Sequence, residues 1–219
     1  MTNLRLAVLA SGRGSNLGAL MAAQREPDAR FEIVLVAGDK PEALALRIAE
    51  EAGIATLALD PRGYADRARF DADLFARIAA YAPDLVVLAG FMRILDAAAM
   101  APWIGRMINI HPSLLPKYRG LKTHERAIRS GDEVHGASVH FVTPELDGGP
   151  VISHVEMPIE AGDTPASLAA RLLPLEHRLL AATVDLIARR RIALAGNRVD
   201  FDGAQLEAPL RLAGRSLAP

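Results

Sequence analysis

The sequence predicts an α/β protein, an open, mostly parallel twisted sheet with helices on both faces, and three observations predict it. Three short apolar runs, Leu4 to Ala10, Phe31 to Ala37 and Leu85 to Ala89, lack polar alternation and are bounded by Gly, Asp or Pro. That is the pattern of strands buried on both faces. Segments with helical periodicity separate them: Leu17 to Arg25, Pro41 to Ala52 with Pro41 suited to a first turn, and Tyr64 to Tyr81. Alternation at this spacing reads as βαβ units of a doubly wound sheet, whose ligands bind beyond the carboxyl ends of the strands.

The remaining elements follow in order. Ile54 to Leu59 reads as a further short strand, and Arg106 to Ile110 as a strand ending at His111-Pro112, where proline forbids simple continuation of the ladder. A helix is expected near Thr123 to Ser130, then two strands, Ala137 to Val142 and Pro150 to Pro158, around the turn-rich run Pro144 to Gly149. The segment from Asp163 to Arg191 opens with Asp163 or Thr164 as a cap and Pro165 in the first turn. Pro174 is expected to split it into two helical pieces. Beyond Ile192 a small hairpin is expected around Asp202-Gly203.

At 219 residues with 51% hydrophobic content the chain can bury one sizeable core, so a single domain over 1–219 is expected. Within it, 1–100 form a phosphate-binding βαβ half, 101–191 a catalytic half and 192–219 a hairpin-like tail. A net charge of −1 gives no global electrostatic drive toward nucleic acid or an anionic membrane. Cysteine is absent, which excludes a disulfide framework, a thiolate zinc site and a cysteine nucleophile. His111, His124, His135, His140, His154 and His177 show no paired helical ligand motif, so no metal is expected. The first apolar run is too short to span a bilayer and leads straight into Ser11-Gly12-Arg13-Gly14-Ser15-Asn16, unlike a signal peptide; a cytoplasmic protein is expected.

Three constellations carry candidate chemistry. Gly12 to Asn16 sits between a strand and a helix, where glycines let backbone N–H groups approach an anion. It is neither a P-loop nor a full dinucleotide fingerprint, and a plain turn with Ser15 or Asn16 as helix cap fits equally well. Asn109 and His111 lie two apart at a strand end, so both project to one side. An amide can hold a developing oxyanion and an imidazole can donate a proton to it, although a strand-end histidine also serves structure alone. Asp147 lies in a Leu-Asp-Gly-Gly turn. There it is either turn chemistry or a carboxylate that orients an imidazole and favours its charged form. Gly90 to Leu95 follows a buried strand and fits either core or a pocket wall.

Taken together, Ala10-Ser11-Gly12-x-Gly14-Ser15-Asn16, Leu88 to Leu95, Asn109 to Pro116 and Leu146 to Pro150 resemble the phosphoribosylglycinamide formyltransferases of the 10-formyltetrahydrofolate-dependent type. The resemblance covers about residues 4 to 190. It implies a Rossmann-like formyltransferase fold and transfer of a formyl group to the amine of phosphoribosylglycinamide, in purine (IMP) biosynthesis. It also implies a catalytic trio of Asn109, His111 and Asp147. Gly14, Ser15, Asn16 and Glu176 would hold the acceptor; Arg67, Met92, Arg93, Ile94, Leu95 and Asn109 would hold the folate co-substrate. Small-molecule substrates, a monomer or homodimer, and no nucleic-acid or membrane partner complete the expectation.

The resemblance further implies direct attack by the acceptor amine, with Asn109 and His111 stabilising the oxyanion and Asp147 tuning His111. Arg13, Arg119, Lys122 and Pro144 depart from the usual family pattern. Pro116-x-Tyr118-Arg119-Gly120 is similar to the methionyl-tRNA formyltransferases, and formyltetrahydrofolate hydrolases would share the trio with water as acceptor. The first typically carry a further C-terminal domain and the second a further N-terminal one, and neither is expected here. A folate- or nucleotide-binding module without turnover has no need of Asn109, His111 and Asp147 together.

Overall fold

A computed structural model describes residues 3–214 and 216–219. The chain divides into two compact units, Met1–Asn109 and Ile110–Pro219.

The first unit runs β1 (Leu4–Leu9), α1 (Ser15–Gln24), β2 (Phe31–Gly38), α2 (Leu44–Glu51), β3 (Thr56–Ala58), α3 (Arg67–Ala79), β4 (Leu85–Leu88), α4 (Ala97–Met100) and β5 (Met107–His111), which continues two residues past the unit boundary. The strand order is β3-β2-β1-β4-β5 and every pairing is parallel. Leu6, Ala7, Val8 and Leu9 are fully buried, as are Val86 and Val87, which is why these runs carry no polar alternation. The order reverses direction beside β1, so the loops after β1 and β4 flank a topological switch point, where open α/β sheets bind ligands.

Two helix starts differ from the sequence reading. Pro41 lies in a turn closed by Ala43 N–H donating to Lys40 O, and α2 begins only at Leu44. Its first-turn donor Ala45 N–H goes to Gly12 O at 3.1 Å, so the loop after β1 sets where the helix can start. Helix α3 begins at Arg67 rather than near Tyr64, because the Asp66 carboxylate accepts from Arg69 N–H at 2.8 Å and caps it there. Tyr64 stays outside the helix and packs edge-on against Phe70 at 5.2 Å.

The second unit contains α5 (Thr123–Arg129), β6 (Val134–Phe141), β7 (Val151–Pro158), α6 (Pro165–Ala188), β8 (Ile192–Ala195), β9 (Arg198–Phe201), β10 (Ala204–Gln205), β11 (Leu210–Ala213) and β12 (Ser216–Ala218). Its main sheet has the order β12-β11-β7-β6, with β6 antiparallel to β7 and β11 parallel to β7. Strands β8, β9 and β10 form a small antiparallel sheet whose second turn is Asp202-Gly203. The β6–β7 ladder shifts register between Val139 and His140, the kind of irregularity that re-aims a side chain.

Helix α6 is one piece of 24 residues with Pro174 inside it, where the sequence predicts two. Thr164 is its cap, accepting from Ser167 N–H while the Ser167 hydroxyl accepts from Thr164 N–H. An internal proline costs about 3 kcal/mol or more through the lost N–H and the ring's clash with the preceding turn. Here Pro174 and Ala170, whose carbonyl loses its donor, both lie on the exposed side, where water can replace the missing bond. Leu168, Leu172, Leu179, Leu180 and Val184 are fully buried on the opposite stripe, on both sides of the proline. Each is worth about 1.5–3 kcal/mol when taken out of water, so packing outweighs the break.

Candidate active site

The first-unit loop begins where β1 stops. Ser11 N–H donates to Gly90 O at 3.1 Å, and Ser11 Oγ accepts from Met92 N–H at 3.0 Å, tying the loop after β1 to the loop after β4. Gly14 is left-handed at φ 75° and precedes α1 as its N-cap, with no side-chain cap bond. The reading of Ser15 or Asn16 as the cap is therefore wrong: both already lie inside the first turn. A Cβ at Gly14 would sit 2.9 Å from the Ala45 Cα, so α1 and α2 approach through the space a side chain would fill. The helix thus presents first-turn N–H groups that carry no side-chain cap among the described residues, with its positive dipole end behind them. Asn16 is buried beside them and its Oδ1 has no hydrogen-bond partner. An anion with further polar groups suits such a turn.

After β4 the chain turns at Gly90, φ 81°. Phe91 and Leu95 go into the core, whereas Met92 and Ile94 are 69% and 55% exposed. Large apolar side chains left open beside a strand's carboxyl end suit a flat aromatic ligand. Arg93 lies over the Phe70 ring at 4.6 Å from the centroid, and its buried Nε has no partner. Arg67, the first residue of α3, is exposed. Asp71, one turn further on, is fully buried and accepts from Asp96 N–H at 2.6 Å. Burial pushes the Asp71 carboxyl up, while the Asp96 amide and the charges of Arg93 and Arg67 pull it back.

The second unit holds the histidine and the aspartate together. His111 is buried, with Nδ1 3.5 Å from Asp147 Oδ2 and Nε2 3.0 Å from the Tyr118 carbonyl oxygen. Both ring nitrogens therefore face oxygen atoms, which fixes the orientation of the ring. Asp147, itself left-handed at φ 48°, accepts from Gly120 N–H at 2.8 Å through the same Oδ2. Its Oδ1 lies 3.7 Å from His140 Nε2, and His140 Nδ1 faces the Phe141 carbonyl at 2.9 Å. Desolvation pushes His140 down, so it sits neutral beside the carboxylate at neutral pH. Arg119 pairs with Glu145, linking the segment that supplies Tyr118 and Gly120 to the turn that supplies Asp147.

Asn109 pairs opposite Leu88 within β5, two residues before His111 on the same strand. Glu176 is buried on the helix α6. Sequence reasoning missed Tyr118, Gly120, His140 and Asp71. The first two act through backbone atoms and have no residue-type signal. His140 was legible only as one of six histidines, though its position on β6 four residues before the Pro144–Gly149 turn puts it within reach of that turn. Among the described residues no group of three or more His, Asp or Glu is placed to hold a metal ion, and no helix is long and apolar enough to cross a membrane.

Comparison with known proteins bears on this geometry. The formyl transferase family model matches residues 4–184. The chain is 44% identical over 203 residues to the phosphoribosylglycinamide formyltransferase of Escherichia coli (strain K12), covering 93% of this chain and 96% of that one. It is 40% identical over 193 residues to the trifunctional purine biosynthetic protein adenosine-3 of Homo sapiens, covering 88% of this chain and 19% of that one. Among solved structures, the phosphoribosylglycinamide formyltransferase of Coxiella burnetii matches with a TM-score of 0.89 at 42% identity, covering 93% of this chain and 96% of that one.

Proposed function

The chain belongs to the formyl transferase family, and we propose that it transfers the formyl group of 10-formyltetrahydrofolate to the amine of phosphoribosylglycinamide, a step of purine biosynthesis. The observation that carries this reading is the buried His111–Asp147 pair two residues beyond Asn109, in a chain that also offers an uncapped helix N-terminus for a phosphate. Both units serve this one activity, as a single formyltransferase domain. The protein works in the cytoplasm on small molecules, as a monomer or a homodimer.

Gly14, Ser15 and Asn16 hold the acceptor's phosphate through the first turn of α1, and Glu176 binds the same substrate. The exposed Met92 and Ile94, with Arg93 and Leu95, line the folate site, and Arg67 reaches the same co-substrate. The acceptor's neutral amine attacks the formyl carbon, forming the new C–N bond while the formyl C=O pair moves onto oxygen. Asn109 donates its amide N–H to that oxygen and also contacts the folate, and His111 supplies an N–H and positive charge. Asp147 orients the imidazole through its contact with Nδ1. When the oxyanion collapses, the bond to the folate nitrogen breaks and the amine's proton ends on that nitrogen. No covalent bond to the protein is formed, and placing two substrates together supplies much of the rate.

Two variants test the roles. Asn109→Ala and His111→Ala should each lower turnover by ~10²- to 10³-fold, the usual loss for one oxyanion donor, with unfolding transitions close to wild type. Near-normal turnover in folded variants refutes the assignment.

A further inference from the structure

The segment after β4 is pinned at both ends by buried side chains. Ser11 Oγ holds Met92 N–H at 3.0 Å, and Asp71 Oδ2 holds Asp96 N–H at 2.6 Å. Ser11 belongs to the loop already described, but Asp71 has no part in the mechanism. It is fully buried on α3, and its second oxygen, Oδ1, has no hydrogen-bond partner. A buried carboxylate with one oxygen unsatisfied opposes folding, and an apolar residue of similar size would pack there without that cost. Its surroundings show what the charge acts on. The neighbouring Phe70 carries the Arg93 guanidinium on its ring face, and Arg93 and Arg67 both attract the Asp71 charge. Two consecutive residues of α3 thus grip the segment at Arg93 and Asp96, on either side of Ile94 and Leu95. Asp96 in turn caps α4, accepting from Ala98 and Ala99 N–H at 3.0 and 3.2 Å.

We infer that Asp71 is a positioning residue for folate, fixing the Asp96 backbone so that Met92 to Leu95 stand in binding geometry before the co-substrate arrives. The inference rests on the folate reading of that segment given above. It assigns Asp71 no contact with either substrate. Its loss therefore raises the cost of ordering the wall on binding and leaves the chemistry untouched.

Steady-state kinetics with each substrate varied separately test this. Asp71→Ala removes both the acceptor and the charge, whereas Asp71→Asn keeps an oxygen for Asp96 N–H and removes only the charge. The Ala variant should raise KM for 10-formyltetrahydrofolate about tenfold, the equivalent of one lost charge-assisted hydrogen bond. The Asn variant should raise it less, and in both KM for phosphoribosylglycinamide and kcat should stay within about twofold. An unchanged folate KM, or an equal rise in both KM values, overturns the inference. Should Asp71→Ala not fold, Asp96→Pro deletes the same N–H at a residue whose φ of −71° already suits proline, with Asp96→Ala as the control for the lost cap. Asp96→Pro must then raise folate KM beyond Asp96→Ala, and equality overturns the inference. A wild-type protein that does not use 10-formyltetrahydrofolate sinks the proposed function and this inference together; a competent wild type with unaffected variants sinks the inference alone.

Discussion

Replacing Gly14 by Ala should damage both stability and acceptor binding, while the same change two residues earlier should do neither. Gly14 holds φ 75°, a left-handed conformation that costs an L-residue with a Cβ about 1–2 kcal/mol. The added methyl would also meet the Ala45 Cα at 2.9 Å and its Cβ at 3.0 Å. Ala45 is fully buried on α2 and is tied to Gly12 O through its N–H, so it cannot swing away. Reaching an ordinary contact of 3.4 Å from 2.9 Å needs a shift of 0.5 Å between two packed elements, and overpacking of this kind costs about 1–3 kcal/mol. The sum, about 2–5 kcal/mol, is a large share of the ~5–15 kcal/mol that holds a typical domain. Gly12 has open space around its Cβ position and no positive φ, so Gly12→Ala should stay within about 0.5 kcal/mol. Urea unfolding of the wild type and the two variants gives the stabilities. KM for phosphoribosylglycinamide should rise at least about tenfold in Gly14→Ala, because the first-turn N–H groups move with the loop. Equal stabilities for the two variants, or a Gly14→Ala variant with wild-type acceptor KM, would refute the reasoning.

Three further outcomes follow from particular contacts. Pro174→Ala restores the N–H that the Ala170 carbonyl lacks and should stabilise the chain by about 1–3 kcal/mol, read as a higher urea midpoint; no gain would mean that α6 is already relaxed around the proline. Gly149→Ala places a Cβ 1.9 Å from the Phe141 carbonyl oxygen, so the turn carrying Asp147 must shift. A stability loss of about 3 kcal/mol is expected together with a fall in turnover, and a variant of unchanged melting temperature contradicts the packing argument. His135 hydrogen-bonds His124 at 3.0 Å between ring nitrogens, and burial pushes it down from 6.5 to about 4. Between these values the unfolded chain binds the extra proton, so stability is lost as pH falls from 6.5 toward 4, by at most about 3 kcal/mol for this group. His135→Gln should flatten unfolding free energy against pH in that window, and an unchanged slope contradicts it.

The first unit's sheet was legible because its strands are buried on both faces: Leu6 to Leu9 and Leu85 to Leu88 leave no ambiguity of period. Helix ends were harder, one being set by a contact distant in sequence and the other by a local cap inside a longer periodic run. The start of α2 depends on Gly12 O and that of α3 on Asp66 outcompeting a longer periodic run. Pro174 misled because a local rule about the backbone was weighed without the buried leucine stripe on both sides of it. Asn109 and His111 were legible as neighbours on one strand. The 3.5 Å approach of Asp147 was not, because it joins residues 36 apart through a left-handed turn. Asp71 was invisible for another reason. On an amphipathic helix an acidic residue reads as solvent-facing, and only the fold reveals that this one points inward at the Asp96 amide.

The central claim is a formyl transfer that requires the glycinamide acceptor. It is tested most directly by mixing purified protein with 10-formyltetrahydrofolate and following release of tetrahydrofolate, with and without phosphoribosylglycinamide. The account predicts release only when the acceptor is present, accompanied by one equivalent of formylated product. Release at the same rate without acceptor would make the protein a hydrolase, and no release from folded protein under either condition would contradict the account.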